Sequence, residues 1–144
     1  MMDLDDFKAY NDSSGHLAGD NVLARVAREI TGCVRSVDVV CRYGGEEFAV
    51  IMPETDSRAA VAAAERIREV VAGSPAGVGE PIAGPDGSEG GPTVSIGVAT
   101  YPNDAAGRVA LVEAADRALY LSKKRGKNVV TVWTAAGSLH SPGR

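Results

Sequence analysis

An excess of positive charge is missing from this sequence: 15 Lys and Arg stand against 19 Asp and Glu, a formal net charge of −4. No basic surface for nucleic acid is announced. Long apolar runs are missing too, since nothing approaches the roughly 20 residues that span a bilayer. No charged-then-apolar signal segment opens the chain, so a cytoplasmic location without a membrane segment is the expectation. Cysteine is scarce. Cys33, near a helix end, and Cys41, in a strand, lack metal-ligand spacing and are expected as buried thiols. Neither a heptad nor an internal repeat is visible. What is present is a chain of 144 residues, 44% hydrophobic, which suits one domain with a real core.

Periodicity divides the chain. Val22, Leu23, Val26, Ala27, Ile30 and Val34 keep one face of a helix over Gly19 to Arg35. Asp38 to Met52 reads as two short strands around Gly44-Gly45, a two-residue hairpin signal. Asp56 or Ser57 caps a second helix through Val71, with Ala60, Ala63, Ala64, Ile67, Val70 and Val71 inward. The stretch Gly73 to Pro92, rich in Gly, Pro and Ser, holds at most a weak strand around Val78 to Ile82 and is expected to be disordered. The β-branched run Thr93 to Thr100 is a strand. A third helix spans about Arg108 to Arg125, with Val109, Val112, Ala115, Ala118 and Leu119 inward, and Gly126 ends it. Val129 to Trp133 is a last strand, and residues 134–144 are expected as a disordered tail. Met1 to Leu4 reads as the end of a strand whose beginning is missing. The order predicts an α+β fold, one antiparallel-rich central sheet with packed helices.

Acids gather at two places. Asp3, Asp5 and Asp6 follow the first strand, and Glu46 and Glu47 stand at the hairpin tip. If the two lie side by side, oxygen-only ligands of this kind suit Mg2+, which takes its remaining ligands from water and substrate phosphates. Side-chain-free glycines then let a ligand approach the backbone of the turn. Alone, Gly-Gly-Glu-Glu is better explained as a solvated hairpin tip. Its company is FKAYNDSSGHLAGD, where Asp20 can accept from the N1–H and 2-amino group of a guanine edge, Asn11 can add to it, and Lys8, Lys123 and Lys127 offer charge for a triphosphate. The bland alternatives are a helix cap for Asp20, a turn residue for Asn11 and solvated lysines.

Taken together, DLDDFKAYNDSSGHLAGD, RYGGEEF, TVSIGVA and ADRALYLSKKRGKN resemble the GGDEF family of diguanylate cyclases, in its GGEEF variant, from Met1 to about Val132. The likeness is nearest to its response-regulator members. It implies a palm-like, ferredoxin-like nucleotide cyclase fold over residues 1–133. It also implies condensation of two GTP to cyclic di-GMP and pyrophosphate, with a homodimer as the active species. Asp3, the Leu4 carbonyl and Glu46 would hold Mg2+ or Mn2+. Asn11 and Asp20 would bind guanine, with Gly44 and Gly45 giving room at the turn. Lys123 and Lys127 would meet the phosphates; many members have Arg at the latter place, and Lys lacks its bidentate fork. Glu47 would be a second metal ligand or take part in deprotonating the 3′-hydroxyl, whereas His16 would pack the loop. Arg35-Ser36-Val37-Asp38, with Arg66, resembles the family's product-inhibition site, though R-x-x-D alone is a common surface ion pair. The family's usual opening helix, with its D-x-L-T-G-L-x-N-R motif, is not seen. A catalytically inactive domain that binds GTP or senses cyclic di-GMP therefore stays open as an alternative, and a different palm-type nucleotidyl cyclase more remotely.

Overall fold

The computed structural model describes residues 1–74 and 91–134. The expectations for Val78 to Ile82 and for the tail beyond residue 134 lie outside them. In chain order the elements are β1 (Met2–Leu4), α1 (Phe7–Ser14), α2 (His16–Gly32), β2 (Val39–Arg42), β3 (Glu47–Ile51), α3 (Ser57–Gly73), β4 (Val94–Val98), α4 (Arg108–Lys124) and β5 (Val130–Val132). One five-stranded sheet has the order β2-β3-β1-β4-β5; all neighbours are antiparallel except β4 and β5. The expected α+β fold with an antiparallel-rich sheet is what forms.

Strand alternation sorts the two faces. Met2 and Leu4 of β1, Phe48 of β3, Val94, Ile96 and Val98 of β4 and Val130 of β5 join Val26 and Ile30 of α2 and Ile67 and Val71 of α3 in one core. The intervening residues, Asp3, Ser95, Gly97 and Thr131, fall on the face covered by α4. Each β4 residue is buried because helices cover both faces there. The covering helix lies close: a Cβ at Gly97 would come within 2.1 Å of the Ala115 carbonyl oxygen and 2.2 Å of the Leu119 nitrogen.

Four details differ from the sequence expectations. The segment Phe7–Ser14 is a helix of its own, α1, with Phe7 as its buried residue. Gly15, at φ 84°, separates it from α2 in a left-handed conformation that glycine adopts without strain. Cys41 is exposed, not buried, because β2 is an edge strand, and Val39 on the same strand is 52% exposed. Along α4 the buried stripe is Ala114, Ala115, Ala118, Leu119 and Ser122. Val109 stands nine residues before Ala118, half a turn out of phase, and faces solvent. Val70 of α3 likewise lies at an exposed rim. The cap of α3 is as expected, with the Asp56 carboxylate accepting from the Ala59 N–H at 2.8 Å.

Because the obstacles around Gly97 are backbone atoms of α4, a methyl group cannot be accommodated by side-chain rotation. Gly97→Ala is expected to cost about 3 kcal/mol and to lower the melting temperature by roughly 10 °C. Thermal unfolding followed by circular dichroism checks this; a midpoint unchanged from the parent would show that α4 does not press on β4.

Candidate active site

Position on β1 decides which acids meet which cations. Asp3 and Asp5 are two apart, so both point to the α4 face, where Lys123 arrives from the last turn of α4. Its Nζ donates to Asp3 Oδ1, to the Leu4 carbonyl at 3.2 Å and to Asp5 Oδ1 at 2.9 Å. The side chain of Asp5 is only 3% exposed. Each of its oxygens has two donors: Ser95 Oγ (2.7 Å) and Lys123 on one, Thr93 Oγ1 (2.7 Å) and the Asn128 N–H (3.0 Å) on the other. Burial works against its charge, but the hydrogen bonds from Lys123, Thr93 and Ser95 outweigh burial and hold the carboxyl below its ordinary value. Burial also opposes the Lys123 charge, and the bonds to Asp3 and Asp5 more than restore it.

The hairpin tip lies beside this cluster because β3 pairs with β1, Asp3 opposite Glu47, and the Leu4 N–H donates to the Glu46 carbonyl at 3.2 Å. The loop is wider than a two-residue turn. Its last ladder bond runs from the Tyr43 N–H to the Glu47 carbonyl (2.8 Å), which leaves Gly44, Gly45 and Glu46 to close it. Neither glycine has a positive φ, so a primed turn is not formed. Their contribution is space: a Cβ at Gly44 would come within 2.3 Å of Glu47 Oε2, and Gly45 is open. Arg42 fixes the tip, its Nε donating to the Gly44 (3.2 Å) and Gly45 (3.1 Å) carbonyls and its Nη2 to Gly45 at 2.6 Å. The Glu46 carboxyl is pushed up by partial burial and then by the Asp3 charge, against a smaller opposing pull from Lys123.

Asp3, Glu46 and the Leu4 carbonyl form an all-oxygen donor set. An ammonium already contacts two of the three, and Glu46 is held above its ordinary pKa in part by another anion, so the set fits a hard cation. Among the described residues no three Asp, Glu, His or Cys side chains converge as a metal cage. Any ion here therefore needs the carbonyl and ligands from outside the protein.

Glu46, Lys123, Lys127, Lys8 and Asp6 line an open groove of about 440 Å³. Lys127 donates to Asp6 Oδ1 at 2.6 Å, and both residues have positive φ, 63° and 56°. Asn11 is wedged against Gly19, where a Cβ would stand 1.7 Å from its Oδ1. That oxygen is buried and has no hydrogen-bond partner among the described residues. Asp20, the next residue along α2, is exposed and belongs to a second groove of about 410 Å³ with Leu23, Val40, Cys41 and Arg42. It is not a helix cap, since α2 begins at His16, and His16 is exposed there instead of packing under a loop.

The R-x-x-D segment lies at the other end of α2, about 25 Å away along a 17-residue helix. Arg35 donates to Asp38 through Nη2 (2.7 Å) and Nε, and its Nη2 also reaches the Pro53 carbonyl (3.0 Å) and Thr55 Oγ1 (2.6 Å). The Asp38 carboxyl is held below its ordinary value, chiefly by these bonds from Arg35. Arg66 grips the Cys33 carbonyl through Nε (3.0 Å) and Nη2 (2.6 Å), which brings it to the same end.

A family profile described as Diguanylate cyclase, GGDEF domain, matches residues 1–129. The chain belongs to the GGDEF family. Among curated relatives of this GGDEF domain, Diguanylate cyclase A of Treponema denticola is 46% identical over 92% of the chain and 34% of the relative. Response regulator PleD of Caulobacter vibrioides is 43% identical over 90% of the chain and 28% of the relative. The chain thus spans about a third of the length of these relatives. Among solved structures, the GGDEF domain of DgcB from Caulobacter crescentus in complex with c-di-GMP superposes with a TM-score of 0.74 at 35% identity, covering 91% of this chain and 74% of that one. The active GGEEF domain of a diguanylate cyclase from Vibrio cholerae gives 0.78 at 27% identity, covering 92% and 79%. These likenesses bear out the palm-like cyclase fold.

The GGDEF motifs do not single out the buried, fully bonded role of Asp5, or the contacts of Asn128, Arg42 and Arg68. Asp5 was within reach, because its spacing from Asp3 places both acids on one face of β1. The others act through main-chain atoms or across long separations that no local spacing reports.

Asp5 also sets a pH dependence. Its folded pKa is depressed, so its stabilisation is complete above the unfolded value near 3.9 and is lost as pH falls through the folded value. Asp5→Ala is expected to cost about 3 kcal/mol at neutral pH and to flatten the acid limb of stability. Urea titrations from pH 2 to 7 check both, and an unaltered acid limb in the variant would move that linkage to another carboxylate.

Proposed function

We propose that this GGDEF domain, residues 1–133, condenses two GTP molecules to cyclic di-GMP and pyrophosphate. One observation carries the reading: Leu4 and Glu46 stand with Lys123, Lys127 and Lys8 around one groove at the end of β1, and Lys123 binds both the Leu4 carbonyl and Asp3. Asn11 and Asp20, on the adjoining helices, read the guanine edge. The Asn11 oxygen, without a partner among the described residues, accepts from a donor of the base, and Asp20 accepts from N1–H and the 2-amino group. Gly44 and Gly45 leave room for the nucleotide at the turn. Lys8, Lys123 and Lys127 take up the triphosphate charge, with Lys123 exchanging carboxylate for phosphate. Glu46, whose carboxyl is pushed up by burial and by Asp3, and Glu47 beside it draw the proton from an attacking 3′-hydroxyl. A divalent cation, Mg2+ or Mn2+, held by Asp3, the Leu4 carbonyl and Glu46 supplies charge neutralisation at the phosphates when bound. A groove of this size holds one GTP, so two domains meet face to face as a homodimer for the reaction.

Feedback belongs to the same proposal. Arg35 and Asp38 bind cyclic di-GMP at the far end of α2, joined by Arg66 of a neighbouring domain, and this holds the two active grooves apart. The roughly 25 Å between the ends of α2 makes such inhibition non-competitive with GTP.

Glu46→Gln keeps the side chain's size and removes its charge. Cyclic di-GMP formation from GTP and Mg2+, measured by chromatography, is expected to fall at least about 100-fold while the melting temperature is retained. Near-parental product formation by the variant would remove Glu46 from the chemistry. A parent chain that GTP stabilises against heat, but that makes no product, would instead be a binding module.

Arg35→Ala is expected to abolish calorimetrically detected cyclic di-GMP binding and to raise the product concentration needed for half-inhibition at least about tenfold. Titration in the presence of a non-hydrolysable GTP analogue separates the sites. Complete displacement of product by the analogue would reduce Arg35–Asp38 to a helix-end ion pair.

A further inference from the structure

The chain leaves α4 through three consecutive left-handed residues, Gly126, Lys127 and Asn128, at φ 108°, 63° and 46°. Two of them carry side chains, and such conformations persist only where the surroundings hold them. One bond back to α4 and two to the acids after β1 supply part of that hold. The Lys127 N–H donates to the Ser122 carbonyl (3.2 Å), the Asn128 N–H to Asp5 (3.0 Å) and Lys127 Nζ to Asp6 (2.6 Å). The remaining bond comes from α3, 60 residues away: Arg68 Nη1 donates to Asn128 Oδ1 at 3.2 Å. Arg68 is itself aimed. Its Nε is bound by Glu65 (2.7 Å), Glu69 lies 3.7 Å from its Nη2, and its side chain is only 22% exposed. A planar guanidinium held by carboxylates of its own helix presents the remaining N–H groups in a fixed direction.

We infer that Arg68 is a positioning residue for the phosphate-binding turn, acting through Asn128 to hold Lys127, and the Asp5–Lys123 pair behind it, in place to receive a triphosphate. Arg68 does not line the groove; its effect on nucleotide passes entirely through Asn128. The inference rests on the roles proposed above for Lys123 and Lys127. Were Arg68 simply a surface partner of Glu65 and Glu69, its loss would alter α3 and leave the turn as it was.

The test combines a double-mutant cycle with hydrogen exchange. Arg68→Gln removes the fork, and Asn128→Gly removes the acceptor while easing the positive φ. GTP affinity, by calorimetry with Mg2+, is expected to weaken roughly tenfold in Arg68→Gln. Arg68→Lys should recover part of the loss. In the Asn128→Gly background Arg68→Gln should have no further effect, because the contact it removes is already gone. Equal losses from Arg68→Gln in both backgrounds, or no loss where the parent binds GTP, would overturn the inference. Exchange of the amides at 126–128 in the full chain without nucleotide is expected to speed up in Arg68→Gln; unchanged exchange would overturn it whether or not GTP binds. If the parent chain itself fails to bind GTP, the cyclase reading falls, and the exchange result alone decides whether Arg68 holds the turn.

Discussion

A carboxylate taken out of water must be matched donor for donor, and Asp5 is matched on both oxygens. Those donors come from three places. Thr93 and Ser95 lie on the neighbouring segment of the sheet, Lys123 ends α4, and Asn128 begins the approach to β5. One buried charge therefore ties the centre of the sheet to the end of the helix that covers it and to the turn that follows. Removing it would leave Lys123 with Asp3 and the Leu4 carbonyl and would release the N–H that anchors a left-handed turn. The functional groove is a consequence of this pairing, since its cations stand where Asp5 and its neighbours put them.

Around that anchor the site alternates between what is satisfied and what is spare. Asp5 has all the partners it can use. Asn11, two turns of chain away, has an oxygen with none among the described residues. Glu46 carries a charge made costly by burial and by Asp3. Fully bonded groups give rigidity, and under-bonded ones hold interaction free energy that a ligand can release. The glycines serve the same division. Gly19 lets Asn11 press onto α2, and Gly97 lets α4 press onto β4, so that polar groups are brought within bonding distance by the absence of side chains elsewhere.

Much of the fold is legible in the sequence. The periodicities of α2 and α3, the β-branched run of β4 and the glycine closing α4 all announce themselves, because burial on one face leaves a regular trace. The helix α1 does not. It is short, buries only Phe7 completely and is full of residues that favour caps and turns, so its helicity comes from lying against α2. The exposure of Cys41 is hidden for a related reason: a strand's apolar residues look alike whether the strand is central or at an edge, and only topology distinguishes them. At the site, the acids of β1 and of the hairpin could be brought together by assuming adjacent strands. The pairing of Asp3 with Glu47 and the reach of Lys123 over 120 residues could not, because separation along the chain carries no periodicity.

That reach has a consequence for how the molecule comes into being. The acids and the hairpin tip lie within the first 51 residues, whereas Lys123, Lys127 and Asn128 come from the last quarter of the described chain. A chain emerging from the ribosome carries the acids and Lys8 of the groove before Lys123 and Lys127 are made. Without α4, Asp3 and Asp5 are like charges two residues apart that lack the Lys123 ammonium between them. Docking of α4 brings Lys123 to those acids, so the groove is complete only when the two ends of the described chain meet. A nucleotide held there as proposed would bind only the finished fold and add its binding free energy to the stability of the domain.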